Sequence, residues 1–265
     1  MELISLFSGS SGNSILIRDK DTNILVDAGL SGSKIQTMLI RAGVEPSSLD
    51  AIFITHEHED HIMGAGILSR RFDIPIFANM ATHGAMKRRL GKMKEENIKV
   101  FTTGKDFCFK DFEVHTFNNS HDAVEPVGFS FLNGKNKISI ATDTGIVTKE
   151  LLAEVSGSDI ALIESNYNER MLKLGGYPQH LKERILGDKG HLSNLDASKL
   201  SEFLISKGTT KIVLGHLSNE NNTPSIASEE VSSYLISCDM KLDRDYQMSV
   251  ASRYGLSSRY SVGEY

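Results

Sequence analysis

Short apolar segments recur along the chain at the spacing of strands. Glu2 to Leu6, Ser14 to Arg18 and Asn23 to Asp27 read as three short strands, with Asp19-Lys20-Asp21 as the hairpin turn between the last two. A helix follows from about Gly32 to Ala42. The run Ala51-Ile52-Phe53-Ile54 is too short for a helix and carries two β-branched residues, which predicts a buried strand. Helical patterning covers Ile62 to Arg71 and Met80 to Leu90. Strand patterning returns near Lys99 to Phe101, Phe107 to Phe109, Phe112 to Phe117, Val127 to Leu132 and Lys137 to Thr142. Ile160 to Glu164 is another strand. Leu181 to Leu186, Asp196 to Ser206 and Ser225 to Ser237 are helices around the strand Lys211 to Leu214. This is an α/β (α+β) chain whose strands-then-helices layout is used twice, the second half opening around residue 120. Ser252 to Tyr265 is polar and predicts a loose surface tail, so the domain is expected over residues 1–251.

Composition agrees with one sizeable core. Over 265 residues the chain is 40% hydrophobic and 24% charged, ordinary for a soluble globular protein. Met1 to Ser8 lacks a basic leader, and no stretch reaches the roughly 18 apolar residues of a membrane span. A cytoplasmic protein without a membrane partner is expected. Cys108 and Cys238 lie in unrelated segments, outside CxxC or Cys-His spacing, and are expected to be reduced thiols.

The chemistry is concentrated in His56-Glu57-His58-Glu59-Asp60-His61, at the carboxyl end of the strand Ala51 to Ile54. Imidazole nitrogen and carboxylate oxygen suit zinc, iron or manganese, and a site needing several ligands at once gathers them in this way. A charged surface loop rich in histidine would need no further ligands downstream, but there are several. Val114-His115-Thr116-Phe117 leads to His121, Ile138-Ser139-Ile140-Ala141 to Asp143 and Ile212-Val213-Leu214 to His216; upstream, Ile24-Leu25-Val26 likewise ends in Asp27. An Asp-Gly after a strand is usually only a turn; the joint order makes the signal.

That order, Asp then HxHxDH then His then Asp then His, resembles the metallo-β-lactamase superfamily of hydrolases over nearly the whole chain. The resemblance implies a four-layer αββα sandwich with two divalent metal ions in the cleft at the sheet edges. It implies His56, His58 and His121 for one ion, Asp60, His61 and His216 for the other, and Asp143 as the bridge. Asp27 would orient the HxHxDH loop without binding metal. Seven ligand residues are more than one tetrahedral ion uses. Asp143 and the absent leader speak against an exported lactamase. Ile163-Glu164-Ser165-Asn166-Tyr167 followed by Lys189-Gly190-His191-Leu192-Ser193 speaks against a thioesterase. It resembles the Glu and His-Ser-Thr elements of the phosphodiesterase branch, with His191 as proton donor to the leaving oxygen and Glu164 holding its ring. There is a mechanical reason as well. Two metals activate a hydroxide for attack on a phosphodiester, whereas a departing alkoxide needs a separate proton donor, for which imidazole is suited near neutral pH. The lesser alternative is a histidine that only precedes Ser193-Asn194 at the start of a helix.

Other residues are more ambiguous. Phe7-Ser8-Gly9-Ser10-Ser11-Gly12-Asn13-Ser14 has the composition of an anion-binding turn, although glycine-rich turns are mostly structural. In the superfamily that loop borders the metal cleft, so Ser8, Ser10, Ser11 and Asn13, with Ser193, Asn194, Ser218 and Asn219, are candidates to cradle phosphate. Net charge is −5, so the molecule is no general polyanion binder. Two runs are locally basic: Lys87-Arg88-Arg89 with Lys92 and Lys94, and Arg170, Lys173, Lys182, Arg184 and Lys189. They suit either a nucleic-acid backbone or a solvated helix face, and Tyr167 and Tyr177 near the second run could stack on bases. His83, His115 and His180 suit surface or packing roles, with His83 placed so that it could face the cleft.

Within the superfamily the chain resembles the WalJ (YycJ) group of bacterial cytosolic proteins. The likeness is carried by Leu6 to Ser14, Thr55 to His61, Glu164 to Tyr167, Gly190 to Asn194 and Leu214 to Asn222. It implies a DNA exonuclease. The short span from Asp143 to His216 leaves no room for the inserted lid domain of the β-CASP nucleases. A small-molecule or cyclic-nucleotide phosphodiesterase is the alternative, and a non-catalytic metal-bearing regulator is disfavoured because all seven ligands are present. The mixed donor set admits manganese, zinc or iron.

Overall fold

Period-two patterning becomes strands in the computed structural model, which describes residues 1–262. The hairpin-linked strands β1 (Glu2–Phe7), β2 (Ser14–Asp19) and β3 (Thr22–Val26) lead into helix α1 (Gly32–Arg41) and strand β4 (Ala51–Phe53). Helices α2 (Glu59–Ile62) and α3 (Ala65–Phe72), strand β5 (Ile76–Asn79), helix α4 (Met80–Leu90) and strand β6 (Ile98–Phe101) follow. The second run has strands β7 (Phe107–Phe109), β8 (Phe112–Asn118), β9 (Val127–Asn133) and β10 (Asn136–Ala141), helix α5 (Lys149–Val155) and strand β11 (Ile160–Glu164). It continues through helices α6 (Glu169–Leu174), α7 (Gln179–Leu186) and α8 (Asn194–Ser206), strand β12 (Lys211–Gly215), helix α9 (Pro224–Ser237) and strands β13 (Gln247–Val250) and β14 (Arg259–Ser261).

Two seven-stranded sheets result, ordered β14-β1-β2-β3-β4-β5-β6 and β13-β12-β11-β10-β9-β8-β7. Each is antiparallel across its hairpins and parallel where helices carry the chain back, from β3 to β6 and from β10 to β13. Alternation along each strand decides which layer a side chain joins. In β2 and β3, Ile15, Ile17, Ile24 and Val26 pack between the sheets against Phe129, Phe131, Ile138 and Leu162. Their neighbours Leu16 and Leu25 face outward to Ile35 and Leu39 of α1 and Leu68 of α3. Across the molecule Ala161 and Ile163 meet Leu151 of α5, Leu200 and Leu204 of α8 and Val231 of α9. The layers therefore run helix, sheet, sheet, helix, the αββα sandwich. At its centre Phe53 stacks on Phe77 at 4.7 Å and meets Phe129 and Phe131 edge-on, each at 5.7 Å.

Several expectations are corrected. The second sheet opens at Phe107 rather than near residue 120, because the hairpin β7–β8 already pairs with β9. The helix expected from Ile62 to Arg71 is broken at Gly64. The Gly64 N–H donates to the Ala28 carbonyl at 2.8 Å, and a Cβ there would stand 2.4 Å from the Leu30 carbonyl oxygen. Strand β5 and helices α5 and α6 were absent from the patterning; both helices have side-chain caps, Thr148 accepting from Leu151 N–H and Asn168 from Met171 N–H. Ser252 to Tyr265 is not a loose tail throughout, since Arg259–Ser261 pairs antiparallel with Glu2–Ile4 of β1; residues 263–265 lie outside those described.

Candidate metal centre

Because β3, β4, β10, β11 and β12 run parallel within their sheets, their carboxyl ends gather the chemistry on one edge. Asp27 follows β3, the HxHxDH loop follows β4, Asp143 follows β10, Glu164 ends β11 and His216 follows β12. Asp27, Asp143 and His216 adopt left-handed backbone, with φ of 60°, 60° and 54°. Such turns are uncommon outside glycine and re-aim the side chain as the strand ends. The HxHxDH loop is docked on backbone. Asn13 N–H donates to the Asp60 carbonyl at 2.8 Å and Ala28 N–H to the His61 carbonyl at 2.7 Å. A Cβ on Gly29 would lie 1.6 Å from the Asp60 carbonyl oxygen, so only glycine permits this approach.

The expected ligands meet in two sets. His56, His58 and His121 bring ligand atoms within 4.8 Å of one another, and so do Asp60, His61 and His216. Asp143 lies between the sets: Oδ2 is 3.5 Å from His61 Nε2, while Oδ1 is 3.8 Å from His121 Nε2 and 3.4 Å from His216 Nδ1. Asp60 Oδ2 stands 3.6 Å from His61 Nε2 and 3.7 Å from His216 Nε2.

The far sides of the imidazoles are held by the chain. His61 Nδ1 meets Asp27 Oδ2 at 2.7 Å, His216 Nδ1 meets Glu164 Oε1 at 2.8 Å, and His121 Nδ1 meets the Gly190 carbonyl at 3.1 Å. Thr55 donates its hydroxyl to Asp27 Oδ2 at 2.9 Å, so the Thr55 Oγ1 lone pairs can accept from His56 Nδ1, also at 2.9 Å. Partners of this kind fix the tautomer that leaves Nε2 to bind a cation. Sequence reasoning missed Thr55 and Gly190: a hydroxyl beside a ligand is unremarkable in sequence, and a carbonyl carries no residue signature. It also missed that Glu164 serves two rings. Glu164 Oε1 meets His191 Nδ1 at 2.7 Å as well as His216, and its Oε2 accepts from Thr144 N–H at 3.0 Å and Leu192 N–H at 3.3 Å.

Electrostatics follows this geometry. Burial lowers the basicity of His61, but Asp143, Asp27 and Asp60 outweigh it and hold the imidazole up at about 9. His216 is likewise raised despite burial, by Asp143, Asp60 and Glu164. His56 is lowered well below its usual value by burial and by the other imidazoles. Burial opposes ionisation of Asp60, yet His61 and His216 keep its carboxyl well below the usual range. Negative charge thus converges where a cation would sit. Three buried atoms in this cluster have no hydrogen-bond partner among the described residues: His56 Nε2, His216 Nε2 and Asp143 Oδ2. An unpaired buried polar atom is costly. That these three are ligand atoms of a mixed nitrogen and oxygen set fits a divalent metal.

The other candidates are dispersed or committed elsewhere. Ser8 Oγ accepts from His216 N–H at 2.9 Å, and Asn13 accepts from Gly9 N–H at 2.9 Å while its amide lies 3.1 Å from His61 Nε2. Ser193 caps α8 through Asp196 N–H, and buried Asn194 bonds to Ser165 and Asn222. Ser218 accepts from Asn221 N–H at 3.2 Å. Ser10, Ser11 and Asn219 of this group are exposed. Of the basic runs, Arg89 pairs with Glu59, Lys94 with Asp73, Lys173 with Glu169 and Arg184 with Asp122. Tyr167 is buried, with Tyr177 packed against its cluster, which removes Tyr167 as a base-stacking surface. His83 does not face the metal cluster; it bonds to the Lys99 carbonyl at 2.9 Å. His115 sits among Glu113, Glu154 and Asp106, and His180 is exposed on α7.

Comparison with known proteins places this geometry in a family. Residues 8–216 match the model of the metallo-beta-lactamase superfamily. Exodeoxyribonuclease WalJ of Streptococcus pneumoniae (strain D39) is 40% identical over 245 residues, covering 92% of this chain and 91% of the relative. Exodeoxyribonuclease YycJ of Bacillus anthracis is 38% identical over 230 residues, 87% of each chain. Among solved structures, the metallo-beta-lactamase fold protein YhfI from Bacillus subtilis superposes with a TM-score of 0.73 at 15% identity, over 97% of this chain and 98% of that one. It supports the fold alone. With its ligand order, sandwich architecture and full-length relatives in agreement, the chain belongs to the metallo-beta-lactamase superfamily.

Proposed function

We propose that this metal-dependent hydrolase is a two-metal phosphodiesterase that degrades DNA from a strand end, as its relatives' name exodeoxyribonuclease describes them. The observation that carries the reading is the meeting of two ligand sets at Asp143 with the Glu164–His191 pair beside them. His56, His58 and His121 would hold one ion, Asp60, His61 and His216 the other, with Asp143 shared. When bound, two such ions supply Lewis acidity, lower the pKa of water toward about 7 and neutralise phosphoryl oxygens.

The chain's own residues supply the remainder. Glu164 takes His191 Nδ1, leaving Nε2 turned away from the carboxylate, in a ring flanked by those of His121 and His216 at 5.0 and 5.2 Å. A proton on Nε2 would meet the departing ribose oxygen, the step that metal charge alone serves poorly. Glu164 stays ionised to do this: burial opposes it, but His191 and His216 hold its carboxyl far below the usual range. His58 and Asp60 are 29% and 27% exposed, which leaves the centre open on one side, as a polymer end requires. No helix among the described residues is long and apolar enough to cross a membrane. We place the enzyme in the cytoplasm, where a bacterial DNA substrate is met and where thiols such as the unpaired Cys108 and Cys238 stay reduced.

The test is to load the protein with manganese, zinc or iron, count metal by elemental analysis and follow end-labelled single- and double-stranded DNA and bis(p-nitrophenyl) phosphate. Two ions per chain and release of mononucleotides are expected. A single ion per chain, or hydrolysis of the small diester with DNA untouched, would overturn the reading.

A further inference from the structure

The C-terminal segment expected to hang free instead crosses the rim of the metal centre. Arg253 sits half-buried against the glycine-rich loop, so close that a Cβ on Gly9 would be 2.9 Å from its Nη1. It donates through Nη1 to Ser11 Oγ at 3.3 Å and through Nη2 to the carbonyl of Leu217, the residue after ligand His216. The same loop carries Asn13, whose amide lies 3.1 Å from His61 Nε2, and Ser8, which accepts from His216 N–H. Arg253 is thereby tied to both flanks of the second ligand set. Burial lowers the pKa of its guanidinium, and no carboxylate pairs with it among the described residues, so an incompletely solvated cation stands beside the cleft.

A cleft of about 480 Å³ opens at this point, lined by Ser11, Leu30, Lys34, Met38, Arg253 and Tyr254. Lys34 is exposed on α1 and has no ion-pair partner among the described residues. Tyr254 is 81% exposed, and its hydroxyl reaches Asn219 Oδ1 at 3.3 Å. An aromatic face held out to solvent, an apolar wall and two unpaired cations are together the requirements of one nucleotide: a surface for the base and positive charge for the phosphate. Resting on the DNA reading above, we propose that Tyr254, Lys34 and Arg253 form a subsite for one nucleotide of a single DNA strand beside the scissile phosphodiester, its base on Tyr254 and its phosphate between Arg253 and Lys34.

Arg253 also clamps two loops, so its removal could disturb the fold and the test rests on Tyr254 and Lys34. Binding of the metal-loaded full chain to a fluorescein-labelled phosphorothioate single strand is measured by anisotropy. Tyr254→Ala should weaken it by roughly 5-fold or more, the effect of losing one base stack, and Tyr254→Phe should restore it. Lys34→Ala should weaken binding and reduce the salt slope by about 0.7, one phosphate contact on a single strand. Lys135→Ala removes the same charge from the β9–β10 turn, at the opposite end of the sheet, and should bind as the unaltered chain does. If Tyr254→Ala and Lys34→Ala bind normally while the unaltered protein degrades DNA, the subsite is wrong and the nuclease reading survives. If the unaltered protein neither binds nor cuts DNA but hydrolyses bis(p-nitrophenyl) phosphate, the nuclease reading fails and takes the subsite with it.

Discussion

Two buried carboxylates stand behind the ligands, one at the edge of each sheet, and their partners differ. Asp27 holds one imidazole, His61, together with the backbone N–H and hydroxyl of Thr55. Glu164 holds two imidazoles, His216 and His191, together with the N–H groups of Thr144 and Leu192. Their acidities part accordingly. Burial raises the Asp27 carboxyl above the usual range, with His61 and Thr55 offsetting only part of it. At Glu164 burial pushes the same way, but two imidazoles more than reverse it. The first half of the chain thus contains a device for placing a ligand. In the second half one carboxylate holds both a candidate ligand and the histidine proposed to donate a proton, an arrangement that would couple metal binding to departure of the leaving group.

Substitutions can break this comparison in order of size. Asp143→Ala, between the two ligand sets, should do the most damage, reducing turnover to background on DNA and on bis(p-nitrophenyl) phosphate alike and lowering bound metal by elemental analysis. Equal metal content and rates in Asp143→Ala and Asp27→Ala would contradict its place as the shared ligand.

Glu164→Gln comes next. On DNA its loss should exceed the roughly 10²- to 10⁴-fold expected when His191→Ala removes a general acid. The two variants should separate on bis(p-nitrophenyl) phosphate, whose leaving group needs little protonation. His191→Ala should keep its metal and most of its rate there; Glu164→Gln should not, because His216 also loses its support. Were the two variants indistinguishable on that substrate, the coupling would be absent.

Asp27→Asn should cost about 10- to 100-fold in metal affinity or rate, the usual range for a group that orients a ligand, with the same factor on both substrates. A substrate-dependent loss would mean that Asp27 also acts on the leaving group. The smallest effect belongs to Thr55→Val, which deletes the hydroxyl's hydrogen bonds to Asp27 Oδ2 and His56 Nδ1 while the backbone donor to Asp27 and His61 remain. A loss of about 5- to 10-fold in rate is expected, the low end of what two ordinary hydrogen bonds contribute, and a drop as large as that of Asp27→Asn would shift the orienting role to the hydroxyl.

Much of the sandwich, and most of the residues that gather in the candidate metal centre, was legible in the sequence. The run at β4 was too short for a helix and too apolar for a surface, so it had to be a buried strand; Phe53 occupies that place between the sheets. His56, His58, Asp60 and His61 stand out as candidate ligands because they are local, within six residues, and of the right chemical type. Asp143 and His216 were visible because each follows an apolar strand. The hydroxyls considered as a phosphate cradle were harder to read, for the opposite reason. Ser193 and Ser218 are plainly hydroxyls in the sequence, but whether a hydroxyl faces a ligand or bonds the adjoining backbone depends on turns that composition does not specify. Strand β14 was overlooked because Arg259-Tyr260-Ser261 shows no apolar alternation, and its partner β1 lies at the other end of the chain.

The sequence by itself determined the order and chemical type of the ligands and the alternation that makes four layers, since both are written in residues near one another. Only the tertiary structure decided that Glu164 meets two histidines, that the Thr55 hydroxyl bonds Asp27, and that Arg253 returns to lie beside Gly9. Those contacts join residues tens to hundreds of positions apart, and they exist only once parallel strands bring their carboxyl ends to one edge.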